Sequence, residues 1–574
     1  MVFKILLFLC HDMWQRVQHS IQRLPSSWLW GATAIVALYL SLGVVLGFDV
    51  CDTGQYLTMY ANMLQAPDTV GYHFMYYLSG LVGGALMAVM PLPGVLGMRL
   101  VGLLCIVLCM FTVWRILKPY LSPAAIVAGN VLSMVAFVAL PLAFCYDLLS
   151  ITLYLFAIEQ LLKKRALPML AGGFLLGINA FTRIPNVLGF TFVLIPMLMA
   201  WCTKASLKTG ASRSALALVG TLTGVAAMAG LMAAMGHLHI FSRCLASLQQ
   251  VASDHSGESS HSALSLMMVN VKFYVLEFYT WFKLASVIGI YTVLRRRIPS
   301  PPVRFVLLCG ALAATVWMMW RMFPLQPIWA LCCVGCITMI WLCEGEKRGV
   351  AIVALALMLI FPMGSDGMFN NGSIILMLAT PLAIGVCMEH TRMFRTGWFV
   401  VAFALVCVAK TATDGAYFDG GALWHKTAAI QSPKARGVRT TAERAAIIND
   451  ALSGIRPWVH EGDTLLVYGS MPMLNYLTDT RPAFDCCWPE MLTSAMLTQR
   501  LDTLSAPPKV LRQKFVSIGS HFTAPTDSML HTYGAAQSVF CVDTKIEALN
   551  RFLATRHYQK VWESPHFILY LPTE

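Results

Sequence analysis

Apolar runs recur along this chain, and they limit what it can fold into more than any other feature. From Trp28 to about Ala412 they return at roughly 15 to 22 residues each, the length a helix needs to cross a hydrocarbon core at 1.5 Å per residue. Only 12% of the 574 residues are charged and 57% are apolar, with a mean hydropathy of +0.66, which excludes an ordinary soluble globule. The runs predict a polytopic α-helical membrane protein. Its spans fall near 29–47, 98–117, 123–140, 145–162, 167–182, 187–201, 214–235, 273–294, 303–320, 325–343, 349–362, 373–388 and 397–412, roughly thirteen in all. No spanning run follows, so 413–574 reads as a soluble domain of ~160 residues.

The net charge of +13 is distributed in short clusters between spans, not as a basic patch interleaved with aromatics, so it reports topology and not nucleic acid. KKR at Lys163–Arg165, Lys204, Lys208 and Arg213, RRR at Arg295–Arg297, EKR at Glu346–Arg348, and Arg392 with Arg395 all face the cytoplasm if the N-terminal segment 1–28 does. That threading places the C-terminal domain outside. It requires Tyr76–Met90 to be an interfacial or shallow re-entrant helix within a long first external loop, 48–97, because a crossing there would invert every later cluster. The run 28–47 reads as a retained first span and not a cleaved signal.

Most of the seventeen cysteines lie inside apolar runs, where a thiol behaves as a small hydrophobe. Cys51, Cys244, Cys486, Cys487 and Cys541 fall on external segments, where a disulfide is chemically open and its pairing is not readable. Gly173 with Gly177, and Gly220 with Gly224, have the spacing of close helix contacts. The C-terminal region predicts a small α/β domain, with helices at 440–455, 489–504 and 545–557 and strands at 463–469 and 566–572. Its connection 468–484 is rich in groups able to bind a polar ligand.

Chemistry gathers on the external side. In FDVCDTGQYLTMYANML, Asp49 and Asp52 stand at i and i+3 and share a face if a helical turn begins there. Partial desolvation would suit one of them to act as a general base; together they could hold a divalent cation against a phosphate, or one could cap a helix. His73, Asp147, Arg183, Arg321 and Asp366 lie at other external turns or span ends, where ionisable groups in so apolar a chain are functional candidates.

The segment from Asp52 has the pattern D-x3-Y-x6-M-L, and it resembles the first external loop of membrane glycosyltransferases of the C superfamily (GT-C), in the branch of the lipid A aminoarabinose transferase and the protein O-mannosyltransferases. GYHFMYYL (71–78), LGMRL (96–100), YDLL (146–149) and TRIP (182–185) resemble that branch's later motifs. Two positions depart from it: Thr53 stands where the branch has a second adjacent acid, and no double proline follows His73. The resemblance implies inverting transfer of a sugar from a polyprenyl-phosphate donor to a lipid, glycan or protein acceptor, with membrane lipids around the spans. It implies Asp52 as catalytic base, Asp49 as its partner or replacement, Arg183 and Arg321 at the phosphate, and Tyr56, His73, Asp147 and Asp366 in the pocket. A lipid-linked glycan transporter or flippase, and a polymerase or ligase using polyprenyl-diphosphate glycans, are the other function classes the sequence leaves open.

Overall fold

In the computed structural model, the described residues are 34, 42–90, 94–137, 143–254, 262–321, 325–365, 369–389, 397–416, 419–514 and 543–573. Most of this chain is helix, and each expected span from 98–117 onward meets a helix or, at 187–201, a mixed segment. Among the described residues five helical segments are long and apolar enough to cross a membrane: Gly94–Leu117, Ile184–Cys202, Leu207–Ala234, Ala263–Arg297 and Pro301–Trp320. The chain is an integral, multi-pass membrane protein. The mixed segment is a 3-10 helix over Ile184–Leu194 followed by an α-helix over Ile195–Cys202, with Pro185 and Pro196 at their starts. Proline has no N–H to give and is at home in a first helical turn, so each begins a new helix. Tyr77–Val89 is a helix of its own, packed through Gly80, Gly83 and Gly84 onto the helix Asp52–Met63.

Helices Ala166–Asn179 and Leu207–Ala234 run parallel in close contact. A Cβ built on Gly177 would stand 2.2 Å from the Thr221 carbonyl oxygen, and one on Gly220 would stand 2.2 Å from that of Leu170. The glycine spacing read from the sequence is therefore a backbone-to-backbone seam, where small residues let dispersion contacts form without a hydrophobic driving force.

After the helix Gly397–Asp414 the chain enters a mixed α/β region. Its five-stranded sheet has the order Arg481–Pro482, Thr464–Tyr468, Lys509–Gln513, Phe567–Pro572, Tyr558–Glu563; the first three are parallel and the last two antiparallel to their neighbours. The helix Ala442–Ile455 starts where the Thr441 hydroxyl accepts the Arg444 N–H, and it buries Ala445, Ile448, Ala451 and Ile455 at helical spacing. The expected helix 489–504 is a short 3-10 turn, Pro489–Met491, and a helix Ser494–Asp502.

A buried ionic cluster joins this region to the membrane part. The Asp419 carboxylate accepts the Phe48 N–H at 2.6 Å and the Thr440 hydroxyl at 2.9 Å, with Lys426 Nζ at 2.8 Å and Arg444 Nε at 3.0 Å. Removing one member of such a cluster leaves the others charged and dry. We predict that Asp419→Ala costs on the order of 3–5 kcal/mol of stability; unchanged melting of the purified variant would refute this. For the helix seam, Gly220→Ala should lose roughly 1–3 kcal/mol, while Gly230→Ala, in the same helix with open space around it, should be neutral or gain about 0.5–1 kcal/mol. Equal melting temperatures for the two would contradict the seam.

Candidate functional site

The turn FDVCD is built by groups far away in sequence. Gly47, at φ +92°, ends the first helix, and its N–H donates to the Arg439 carbonyl at 2.7 Å. The Arg99 guanidinium of LGMRL donates to the carbonyls of Val44, Leu46 and Gly47 at 3.1, 3.4 and 2.7 Å. Asp49 is buried, and its two carboxylate oxygens accept the N–H groups of Cys51 at 2.8 Å and Thr53 at 2.6 Å. Burial pushes its carboxyl up, and the Thr53 and Cys51 donors pull it back. Asp49 thus tethers the amino end of the helix Asp52–Met63, the capping role left open by the sequence. Asp52 opens that helix and is half-buried.

The two acids therefore differ in surroundings. Asp52 lies among tyrosines: burial foremost, and then the Asp52 carboxylate, hold the Tyr56 phenol well above its ordinary range. Tyr56 meets Tyr146 edge-on at 5.5 Å, and Tyr146 stacks on Tyr76 at 4.0 Å with the rings 5° from parallel. Tyr76 is likewise raised by burial, with Arg183 opposing and Asp147 and Asp52 adding to it. Asp147, beside Tyr146 at the start of the helix Tyr146–Leu161, is 3.6 Å from the Arg183 guanidinium. Arg183 is 3% exposed; it donates to the carbonyls of Phe361 at 2.9 Å and Met363 at 3.1 Å and lies over the Phe361 ring. The D-x3-Y, YDLL and TRIP motifs, with Tyr76 of GYHFMYYL, thus come together in one place.

His73 is placed differently from a pocket residue. It is fully buried, its Nε2 accepting the Cys487 backbone N–H at 3.2 Å with the Cys487 thiol also at 3.2 Å, and its Nδ1 lies 2.9 Å from the Gln55 carboxamide. His73 ties the segment Pro67–Tyr76 to the sheet domain. The connection 468–484 does the same: Ser470 and Pro472 carbonyls accept from Cys51 Sγ and Thr58 Oγ1, and Met473 N donates to the Val50 carbonyl. Gly54 is required here, since a Cβ on it would stand 2.3 Å from Met473 N.

Arg321 is exposed at the end of Pro301–Trp320, with its guanidinium over the Trp317 ring at 4.8 Å. Asp366 and Cys541 lie outside the described residues, although Arg183 holds the start of the Asp366 loop. Cys51, Cys244, Cys486 and Cys487 are buried. Among the described residues no three His, Cys, Asp or Glu side chains come together as a cation cage, and both Asp49 oxygens are committed to backbone donors. Sequence reading gave no site role to Tyr76, Tyr146, Gln55, Arg99 and Cys487. Tyr76, Tyr146 and Arg99 lie inside the quoted motifs, whereas nothing in the sequence pairs His73 with a residue 414 positions away.

Burial lowers the His73 imidazole from 6.5 to about 4, with Asp485 opposing. Below pH 6.5 the unfolded chain binds this proton and the folded chain does not until about pH 4, so the stability present above 6.5 is lost across that window. The total is on the order of 3 kcal/mol. Wild type should lose melting temperature more steeply than His73→Gln from about pH 7 to about pH 5; parallel slopes would rule this out.

Among solved structures, the chain is similar to the crystal structure of ArnT from Cupriavidus metallidurans in the apo state, at 12% identity over 95% of this chain and 98% of that one, with a TM-score of 0.40. It is also similar to the archaeal oligosaccharyltransferase AglB from Archaeoglobus fulgidus in complex with an inhibitory peptide and a dolichol-phosphate, at 11% identity over 95% of this chain and 76% of that one, with a TM-score of 0.44. No protein-family model matches the chain, and no curated protein matches it.

Proposed function

We propose that this chain is an inverting membrane glycosyltransferase that moves a sugar from a polyprenyl-phosphate donor to a hydroxyl-bearing lipid, glycan or protein acceptor on the extracytoplasmic face of a bacterial plasma membrane. One observation carries the reading: a half-buried carboxylate, Asp52, shares its surroundings with Tyr56, Tyr76 and Tyr146 and with the Asp147–Arg183 pair. The reaction needs a base on one side of the anomeric carbon and positive charge on the other. Asp52 takes the acceptor hydroxyl proton as the oxygen bonds to the anomeric carbon. The bond from that carbon to the phosphate oxygen breaks with inversion, and the electron pair leaves on polyprenyl phosphate. Arg183 supplies positive potential near the departing phosphate, while Asp147 and the carbonyls of Phe361 and Met363 fix its orientation. Arg321, exposed at its helix end, is assigned a second contact to the phosphate, and Asp366 a place in the pocket. Asp49 supports Asp52 by holding its helix start. The polyprenyl tail stays in lipid beside the spans, the only phase that dissolves it, and the sheet domain closes the loop from outside.

With purified protein, a labelled polyprenyl-phosphate sugar and a cell-envelope extract, Asp52→Asn should lower transfer by roughly 10²–10⁴-fold with little change in melting. Asp49→Asn should instead lower melting temperature more than turnover. Full transfer by Asp52→Asn would overturn the base assignment, and no wild-type transfer from any such donor would overturn the reaction class.

A further inference from the structure

The opposite end of the helix bundle, the end that carries KKR and RRR, holds a second polar site. A cavity of about 230 Å³ opens between the end of Tyr146–Leu161, the end of Ile195–Cys202 and the start of Leu207–Ala234, lined by Lys163, Lys164, Arg213, Ser206, Thr209 and Glu346. Two acids belong to this neighbourhood, and both are already matched: Glu159 pairs with Arg115 and Lys163, and Glu346 with Lys164 and the Tyr120 hydroxyl. Among the described residues Arg213 makes no ion pair, so the local charge is positive. The helix Leu207–Ala234, 28 residues long, adds the N–H groups of Leu207 and Lys208 at its start, while the Thr209 N–H is capped by the Ser206 hydroxyl. Gly210 lines the cavity, and one turn further along the same helix face Ser214 is 6% exposed with no hydrogen-bond partner for its hydroxyl.

Beside it, on Tyr146–Leu161, Ala166–Asn179 and Leu207–Ala234, lies an apolar groove of about 550 Å³, lined by Phe156, Leu167, Leu170, Phe174, Gly220 and Thr223. Leu167 is 76% exposed there. The two linings adjoin at Leu161 and Gln160 on Tyr146–Leu161, while along Leu207–Ala234 the groove's Gly220 lies about two turns past the cavity's Arg213, so one lipid can reach from the charged cavity into the groove.

We infer that the cavity binds the phosphodiester headgroup of an anionic glycerophospholipid of the cytoplasmic leaflet, with an acyl chain in the groove. Arg213, Lys163 and the first turn of Leu207–Ala234 engage the phosphate oxygens, and Lys164 stays with Glu346. No bond is made or broken. The site is separate from the Asp52 cluster and stands or falls independently of the glycosyltransferase reading.

Native mass spectrometry of the full-length protein, titrated with short-chain phosphatidylglycerol, short-chain phosphatidylcholine or inorganic phosphate, tests this. Phosphatidylglycerol should be retained in preference to phosphatidylcholine, and Arg213→Gln should weaken it by about tenfold or more. Arg295→Gln, a neutralised cation in another basic cluster, should leave that affinity unchanged. Equal weakening by Arg295→Gln would mean diffuse surface attraction and overturn the site, as would unaltered binding by Arg213→Gln. Saturable binding of inorganic phosphate that displaces phosphatidylglycerol would overturn the lipid assignment in favour of a soluble phosphate ligand. If Arg213→Gln does not fold, Lys163→Gln carries the same expectation.

Discussion

A single buried carboxylate, Asp419, fixes where the segment around Asp52 can sit. Four donors converge on it from segments spread over nearly 400 positions: the Phe48 N–H, the Thr440 hydroxyl, Lys426 and Arg444. Burying charge is expensive unless every charge is matched, so the cluster contributes less to net stability than to geometry. It permits one placement of the backbone at Phe48, and Arg99 fixes the three carbonyls immediately before it. The orientation of Asp52 follows from that placement, because Asp49, one residue past Phe48, holds the start of its helix.

The same logic explains why the segment 48–90 and the sheet domain share one hydrophobic core. His73 with Cys487, Thr58 with Pro472, and Gly54 against Met473 are contacts between residues more than 400 positions apart. The first two use polar groups that would otherwise be stranded in the interior, and the third is a close backbone approach, so undocking the domain would orphan both polar groups at once.

Much of this was legible in the sequence. Apolar run length located the helices, the Thr441 cap and the apolar period marked Ala442–Ile455, and glycine spacing gave the seam between Ala166–Asn179 and Leu207–Ala234. The motif around Asp52 lies beside YDLL and TRIP, as a shared site requires. What escaped has physical causes. The strand Lys509–Gln513 buries Val510, Leu511 and Gln513, an order without clean alternation, and Tyr558–Glu563 is only partly buried and largely polar, so neither has a strand signature. His73 looked like a pocket residue because its acceptor role depends on a backbone N–H from a distant loop. Arg183 reads as a phosphate ligand from sequence, yet backbone carbonyls at Phe361 and Met363 take part of its donor set, and carbonyls carry no sequence signal.

The two-part segment after TRIP has a metric consequence. As a continuous α-helix, the nineteen residues Ile184–Cys202 would extend about 28 Å. The 3-10 geometry of Ile184–Leu194 rises about 2.0 Å per residue, which lengthens the segment to roughly 34 Å. A stretch that would fall just short of a hydrocarbon core of about 30 Å therefore overshoots it. The difference, about 5 Å, is the length of one helical turn, so winding the chain more tightly lengthens the segment beyond Arg183 by a full turn without an added residue.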